Sequence, residues 1–481
     1  MSSTREGALS KACLRRVALA HPATIFAVLS MLFGAAIIAI TAPLRGPDEA
    51  AHFLRAYGIA QGDLVPSQAD GMKRKGVFLP ARLHREFALF EAAHATERRM
   101  HWSREAHAAS APQRIDSGVE DIEPAFLFVA YEGSEGYTPI VYLPHALAAF
   151  VAHRADLGFV DTLFVMRLTG LAALTAVIAA AIAIVPYFRW AFLCIAMLPA
   201  ALYGRAVISA DGAALACAMM VTAATLQGAL RVGTRGWGQQ ALWMTLAALS
   251  KPPVIVFALL APMRWSLEDL SRRWRMIAGV IVPGLVAMAA WTALTSGDVA
   301  AWRMTELTGR DAEQFAPAWK LAFMLQQPLH FPTTLMGALQ STGELWLQLI
   351  GVLGLLDTVL QPWTYPAITA LLAAACMTPT DISSAQRGPI AALAGLTAAA
   401  YVLAVFLIFY LTSTPTDAEQ VWGVQGRYFI PALPLLAIFG CLMNRGLGEH
   451  ARAVAATASA VLSGFAAAEA ILRVDWHIWG T

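Results

Sequence analysis

The chain has 481 residues, of which 58% are hydrophobic and only 14% charged, with a formal net charge of +2. Soluble domains carry roughly 25% charged residues. That deficit and a mean hydropathy of +0.57 exclude an ordinary soluble enzyme and mark an integral membrane protein. The near-neutral balance gives no basis for nucleic-acid binding. The five cysteines, Cys13, Cys194, Cys217, Cys376 and Cys441, form no C-x-x-C pair and read as small buried side chains, not disulfides or a thiolate metal site.

A membrane span takes roughly 20 apolar residues, and about ten segments approach that length. Residues 1–21 form a cytoplasmic N-terminus, because Arg5, Lys11, Arg15 and Arg16 precede the first apolar run. That run is long enough to be retained as a first transmembrane helix, 22–42, and not removed as a signal. Residues 43–159 form a large external loop. Within it, Ala81 to Ala109 reads as an amphipathic helix, with Leu83, Phe87, Phe90 and Ala93 on one face. Tyr137 to Ala152 is short and reads as a re-entrant or interfacial helix.

Arg189, the pair Arg231 and Arg235, and the cluster Arg264, Arg272, Arg273 and Arg275 set the course of 160–295. Residues 160–186 run inward, 190–208 outward and 211–230 inward. The stretch 239–263 is a short hairpin broken at Ser250-Lys251-Pro252-Pro253, where proline removes a donor and restricts its predecessor. Residues 276–295 then run outward, and 296–363 form an external, partly embedded segment. The C-terminal helices occupy 364–472, leaving an external tail at 473–481. The predicted fold is all-α and polytopic, with about 10–12 membrane helices.

Polar residues converge on the external side of this topology. Gly46-Pro47-Asp48-Glu49-Ala50-Ala51-His52 follows the first span, and acids at the lip of a bilayer must be solvated, paired or used. Tyr137, Tyr142, His145, Arg205, Asp211, Lys251, Gln425, Arg427 and Tyr428 fall at the same depth. Each has a plain structural alternative: Asp211 as a helix cap, Arg205 snorkelling to the interface, any carboxylate simply salt-bridged. The argument rests on co-location. Asp48 or Glu49 suits a general base, while Lys251 and Arg427 suit phosphate oxygens. Together they describe sugar transfer from a lipid-phosphate donor. His94, His101 and His107 share roughly one helical face but lack a ligand pattern such as H-E-x-x-H. No cofactor is expected, and no sequence pattern supports a divalent metal. Walker, G-x-G-x-x-G and G-x-S-x-G motifs are absent, which argues against soluble nucleotide cofactors.

At these motifs the chain resembles the bacterial membrane proteins grouped as domain of unknown function 2142, which look like a branch of the GT-C glycosyltransferases. The resemblance is carried by Gly46-Pro47-Asp48-Glu49 through His52, with Arg55-Ala56-Tyr57 and Ala60-Gln61-Gly62 behind it. It continues in Tyr137-Thr138-Pro139, Tyr142-Leu143-Pro144, Leu198-Pro199 and Ser209-Ala210-Asp211. Ser250-Lys251-Pro252-Pro253, Gly351 to Asp357, and Gln425-Gly426-Arg427-Tyr428 with Pro431 and Pro434 complete it. The GT-C resemblance implies a polyprenyl-phosphate-linked sugar donor and a catalytic acid in the first external loop, where Asp48 stands. It implies a second acidic position at Asp211 and lipid-phosphate ligands at Lys251 and Arg427. The long soluble C-terminal domain of some GT-C enzymes has no counterpart here, so the external loops are left to choose a glycan or lipid acceptor.

The expected protein is thus a glycosyltransferase of the bacterial inner membrane, acting at the periplasmic face in contact with membrane lipids. A transporter or flippase for lipid-linked saccharides is the chief alternative. Transporters, however, usually show internal repeats and midplane charges, and neither is visible. A non-catalytic partner in cell-envelope glycan assembly is the third reading.

Overall fold

The computed structural model describes residues 21–68, 74–95, 126–131, 133–230, 236–265, 270–295, 304–305, 307–377, 382–443 and 447–479. The expected cytoplasmic segment before residue 21 lies outside them, as do His101, His107, Arg231 and Arg235.

Among the described residues, six helices are long and apolar enough to cross a membrane. They lie in α1 (Pro22–Ile40), α5 (Phe159–Ile184), α8 (Ala210–Leu230), α10 (Leu270–Thr295), α15 (Ser384–Ser413) and α17 (Glu449–Trp479). Shorter apolar helices cover Pro252–Arg264, Thr364–Cys376 and Gly426–Leu442. The all-α polytopic architecture follows from this set. In lipid every backbone group must bond within its own segment, which helices achieve.

Burial sorts the spans. In α8, 78% of the apolar window is buried, against 17% in α10. An all-round apolar helix belongs at the centre of a bundle. Accordingly α8 packs against α5, α7 (Pro199–Ala206), α9 (Trp237–Ser250) and the 3-10 helix Pro252–Arg264. α1 packs on α5 and α17.

Two breaks shape the site. The expected interruption at Lys251 is present: α9 ends at Ser250, and the 3-10 helix that starts at Pro252 packs alongside it. The expected single span 190–208 is instead two helices, α6 (Arg189–Ala196) and α7. Pro199 opens α7 and cannot donate to the turn before it. Eight residues give about 12 Å of helix, so neither half spans alone.

The first loop carries α2 (Glu49–Ala60), α3 (Ala81–Ala95), the 3-10 turn Pro139–Tyr142 and α4 (Leu143–Arg154). Leu83, Phe87 and Phe90 of α3 are buried, as their spacing predicts. An antiparallel sheet, which the sequence reading did not anticipate, joins β1 (Ser67–Gln68), β2 (Lys75–Pro80) and β3 (Phe126–Ala130). Gly76 pairs with Ala130, and a side chain at Gly76 would collide with the Val129 carbonyl.

Beyond α10 come α11 (Pro317–Gln326), α12 (His330–Ala338), α13 (Thr342–Gly351) and the hairpin β4 (Val352–Leu353) to β5 (Thr358–Val359). Leu325, Leu329 and Met336 in this stretch are 86%, 75% and 68% exposed, an apolar surface suited to lipid. α14 (Thr364–Cys376) and α16 (Leu433–Met443) complete the chain order.

Candidate active site

The site begins where α1 stops. Thr41 caps α1 in an extended conformation, and the chain turns through Leu44 and Asp48, both at positive φ (61° and 54°). A side chain at Gly46 would stand 2.8 Å from Val207, so the turn lies flat on the end of α7. The left-handed Asp48 points adjacent carboxylates in opposite directions: the Asp48 side chain is 65% exposed and that of Glu49 is fully enclosed.

Glu49 is bound on all sides. Arg167 of α5 donates from Nε to Oε1 at 2.8 Å and from Nη2 to Oε2 at 2.6 Å. The Gly46 and Ile208 N–H groups each donate at 3.0 Å. Arg167 also donates to the Thr41 and Ala42 carbonyls. Burial opposes ionisation of Glu49, but the guanidinium and the two N–H donors outweigh it and hold its pKa below the ordinary carboxylate value. With no lone pair facing the cleft, Glu49 is not the alternative base that the sequence suggested. It fastens the turn that presents Asp48.

The cleft is built around Asp211. It lies in the first turn of α8, and its carboxylate meets cations instead of capping the helix. Lys251, at the break after α9, donates to one carboxylate oxygen, and Arg427 Nε approaches the other at 3.2 Å. Arg427 belongs to the 3-10 helix Gly426–Ala432, and its Nη2 stands 3.5 Å from Asp48. Its Nη1 is buried without a hydrogen-bond partner. Aromatic rings wall the cations. Lys251 Nζ lies 4.9 Å from the Tyr428 ring centre and 5.6 Å from that of Tyr137. Tyr401 donates to the Tyr428 carbonyl and Phe409 stacks on the Tyr428 ring, fixing that wall. The enclosed space beside Asp211, Lys251, Arg427 and Tyr428 is about 20 Å³, room for a water molecule.

His52 lies behind Asp48 on α2, with Nδ1 against the Tyr142 hydroxyl and its ring 5.7 Å from that of Tyr137. Burial pushes its pKa down to about 4; Lys251 and Arg427 push the same way, against Asp48 and Asp211. His52 is therefore a neutral imidazole at pH 7.

The structure thus gathers Asp48, His52, Tyr137, Asp211, Lys251, Arg427 and Tyr428, with Tyr142 supporting His52. Gln425 adjoins as the residue before the 3-10 helix, its Oε1 buried without a partner. Two expected members stand apart. Arg205 does not snorkel. It is fully buried, donating to the Ala201 carbonyl and the Ser30 hydroxyl, with its guanidinium over Phe26. It faces α1, on which α7 packs. His145 is buried against Gly170, where any side chain would collide with its ring, and neither ring nitrogen has a hydrogen-bond partner.

Sequence reasoning missed Arg167, although a lone arginine within 26 helical residues of mostly apolar character is a signal in itself. It noted Asp357 only as the end of the Gly351 to Asp357 stretch, not its pairing with Arg45 at 2.8 Å, which ties the turn after α1 to the β4–β5 hairpin. No cluster of three or more His, Cys, Asp or Glu side chains suited to a metal occurs among the described residues.

No curated protein and no solved structure matches the chain. Residues 31–436 match the model of a family described as predicted membrane protein (DUF2142). The match runs from α1 into α16 and includes every residue of the cleft, so the chain belongs to the DUF2142 family of membrane proteins.

Proposed function

We propose that the protein is a membrane glycosyltransferase that moves a sugar from a polyprenyl-phosphate-linked donor to an acceptor at the periplasmic face. One observation carries the reading. The water-exposed carboxylate Asp48 and the partly unpartnered cation Arg427 meet at one cleft beside Lys251.

The roles follow from the chemistry. Asp48 takes the proton of the acceptor hydroxyl as that oxygen attacks the anomeric carbon of the donor. The bond from that carbon to the phosphate oxygen breaks, and the lipid phosphate leaves with its charge held by Arg427 and Lys251. Asp211 keeps the two cations side by side against their mutual repulsion. The space of about 20 Å³ beside Asp211 is too small for a sugar phosphate, so the proposed donor enters from the exposed Asp48 side. The 3.5 Å contact between Arg427 and the exposed Asp48 is the weakest link around it.

The test is release of polyprenyl phosphate by purified protein supplied with polyprenyl-phosphate sugars and candidate glycan or lipid acceptors. A positioned base contributes about 10²–10⁴-fold in rate, so Asp48→Asn should lose that much turnover. Near-normal turnover by a folded Asp48→Asn protein refutes the assignment. Translocation of the intact lipid-linked sugar, with no polyprenyl phosphate released, would mark a flippase instead.

A further inference from the structure

A second cavity opens beside the charged cleft and shares none of its lining. It has a volume of about 410 Å³, within the usual range for small-ligand sites. α13 forms one wall, with Ser341 just before it and Glu344 and Gln348 on it. The chain from Gln420 to Val424 forms the other, and Phe406 of α15 closes one side.

The chemistry of this groove differs from that of the cleft. Among the described residues Glu344 is the only charged one lining it, and Arg310, on the Trp422 ring, is paired with Asp417. An anionic headgroup would meet a carboxylate and no unpaired cation among them, so a phosphate is disfavoured. Ser341, Gln348 and Gln420 supply hydroxyl and amide groups that both donate and accept. Glu344 is acceptor-only and matches ligand hydroxyls. Trp422 adds an aromatic face suited to the C–H side of a pyranose ring. Its backbone N–H donates to Thr414 Oγ1 and its ring carries the Arg310 guanidinium at 5.5 Å, so the indole is held in place. A neutral, polyhydroxylated ligand fits every one of these features.

The groove is joined to the cleft by one buried side chain. Gln348 donates from Nε2 to Glu344 at 3.0 Å and accepts at Oε1 from the Gly426 N–H at 2.8 Å. Gly426 immediately precedes Arg427. A side chain at Gly426 would collide with the Leu345 carbonyl, so the segment carrying Arg427 lies directly on α13. Whatever binds Glu344 and Gln348 is one hydrogen bond from the backbone that sets Arg427.

We infer that this groove binds a saccharide and is the acceptor subsite of the cleft. That it binds a saccharide stands on the groove alone; that the saccharide is the acceptor rests on the transferase reading above. Ser341, Glu344 and Gln348 hold its hydroxyls, Trp422 takes its ring face, and its free hydroxyl is directed toward Asp48.

Saturation-transfer NMR on the purified full-length protein tests the binding without any lipid donor. The probes are the methyl glycosides of glucose, galactose, mannose and rhamnose, and N-acetylglucosamine. At least one should show transfer. The signal should persist in Asp48→Asn, fall about tenfold in Trp422→Ala, and vanish in Ser341→Trp, which fills the groove. Gln420→Ala, at an exposed position, serves where either variant fails to fold. Inorganic phosphate should not compete. Absence of transfer from every probe overturns the inference, as does a signal undiminished in all the groove variants, or competition by phosphate. Saccharide binding with no turnover would sink the transferase reading and leave the groove. Turnover whose acceptor KM is unmoved by Trp422→Ala would do the reverse.

Discussion

Glu49 is the residue at which structure and sequence reading differ most in consequence. Both its oxygens are engaged, each by Arg167 and by one backbone N–H. Glu49→Gln preserves the shape and removes the charge. It leaves the Arg167 guanidinium in a fully enclosed site without its counter-charge, and it turns an amide NH₂ toward existing donors. Breaking a buried pair from one side costs about 3–5 kcal/mol.

The paired replacement separates this case from an ordinary buried salt bridge. Exchanging both partners for apolar residues of similar size is often neutral. Here Glu49→Leu with Arg167→Met would leave the Gly46 and Ile208 N–H groups unbonded in the interior and take the Arg167 donor from the Thr41 and Ala42 carbonyls. At about 1–3 kcal/mol for each unsatisfied group, the two N–H groups alone cost the double variant about 2–6 kcal/mol, and the lost carbonyl bonds add to that. The assay is thermal melting in one fixed detergent, followed by tryptophan fluorescence and by loss of monodisperse protein. Glu49→Gln and the double variant should both melt well below the wild type. A double variant that melts with the wild type would show that the carboxylate does not serve those backbone groups. A Glu49→Gln protein of full stability without turnover would return Glu49 to the chemistry.

Other outcomes follow from the same geometry. Arg427→Lys should remain strongly impaired in turnover, because one ammonium cannot reproduce the fork that faces Asp48, Asp211 and the open Nη1 side together; wild-type kinetics in this variant would contradict it. His52, with a native pKa of about 4 against an ordinary value near 6.5, binds its proton more readily in the unfolded chain. Its contribution is therefore complete above pH 6.5 and is lost as the pH falls toward 4, an effect of about 3 kcal/mol. The acid-induced drop in melting temperature should be smaller in His52→Gln than in wild type, and equal drops would refute the buried neutral imidazole. Topology can be read with single cysteines in a cysteine-free background at Glu419 and Arg272, both exposed, since Ser250 beside the hairpin break is buried. An impermeant thiol reagent should label position 419 and not 272 in intact cells.

Much of the site was legible because charges in apolar surroundings are few and each has a reason to be there. The break at Lys251 can be read from Pro252 and Pro253, and the same rule at Pro199 divides 190–208 into α6 and α7. What sequence could not supply was direction. Asp48 and Glu49 are neighbours of like chemistry, and only the left-handed turn at Asp48 decides which is solvated and which is buried. Arg205 and Arg167 look alike as single arginines in apolar helices. One donates to the Ser30 hydroxyl and its own helix, the other to a carboxylate contributed 118 residues earlier. Pairings of that range depend on how the helices pack. The same holds for the antiparallel match of 76–80 with 126–130, whose register is set by the two strands across an intervening stretch of chain.

The two acids of the cleft should separate cleanly by what their loss does. Asp211 is 22% exposed and lies between two cations that are themselves 11% and 10% exposed. Its neutralisation leaves Lys251 and Arg427 facing each other without an enclosed counter-charge, a loss of about 3–5 kcal/mol. Asp48 is 65% exposed and 3.5 Å from Arg427, a contact worth less than about 1 kcal/mol. On the proposed transferase reading, a lipid phosphate that approaches Arg427 would therefore displace Asp48 and not Asp211, and that displacement would free the proposed base as the donor binds. Asparagine also tolerates the left-handed backbone that Asp48 adopts. Asp48→Asn should accordingly melt like wild type, lose turnover, and bind polyprenyl phosphate as tightly or up to about fivefold more tightly, because a competing anion has gone. Asp211→Asn should melt well below wild type. Weaker polyprenyl-phosphate binding by a fully stable Asp48→Asn protein would show that Asp48 helps to hold the donor and does not yield Arg427 to it.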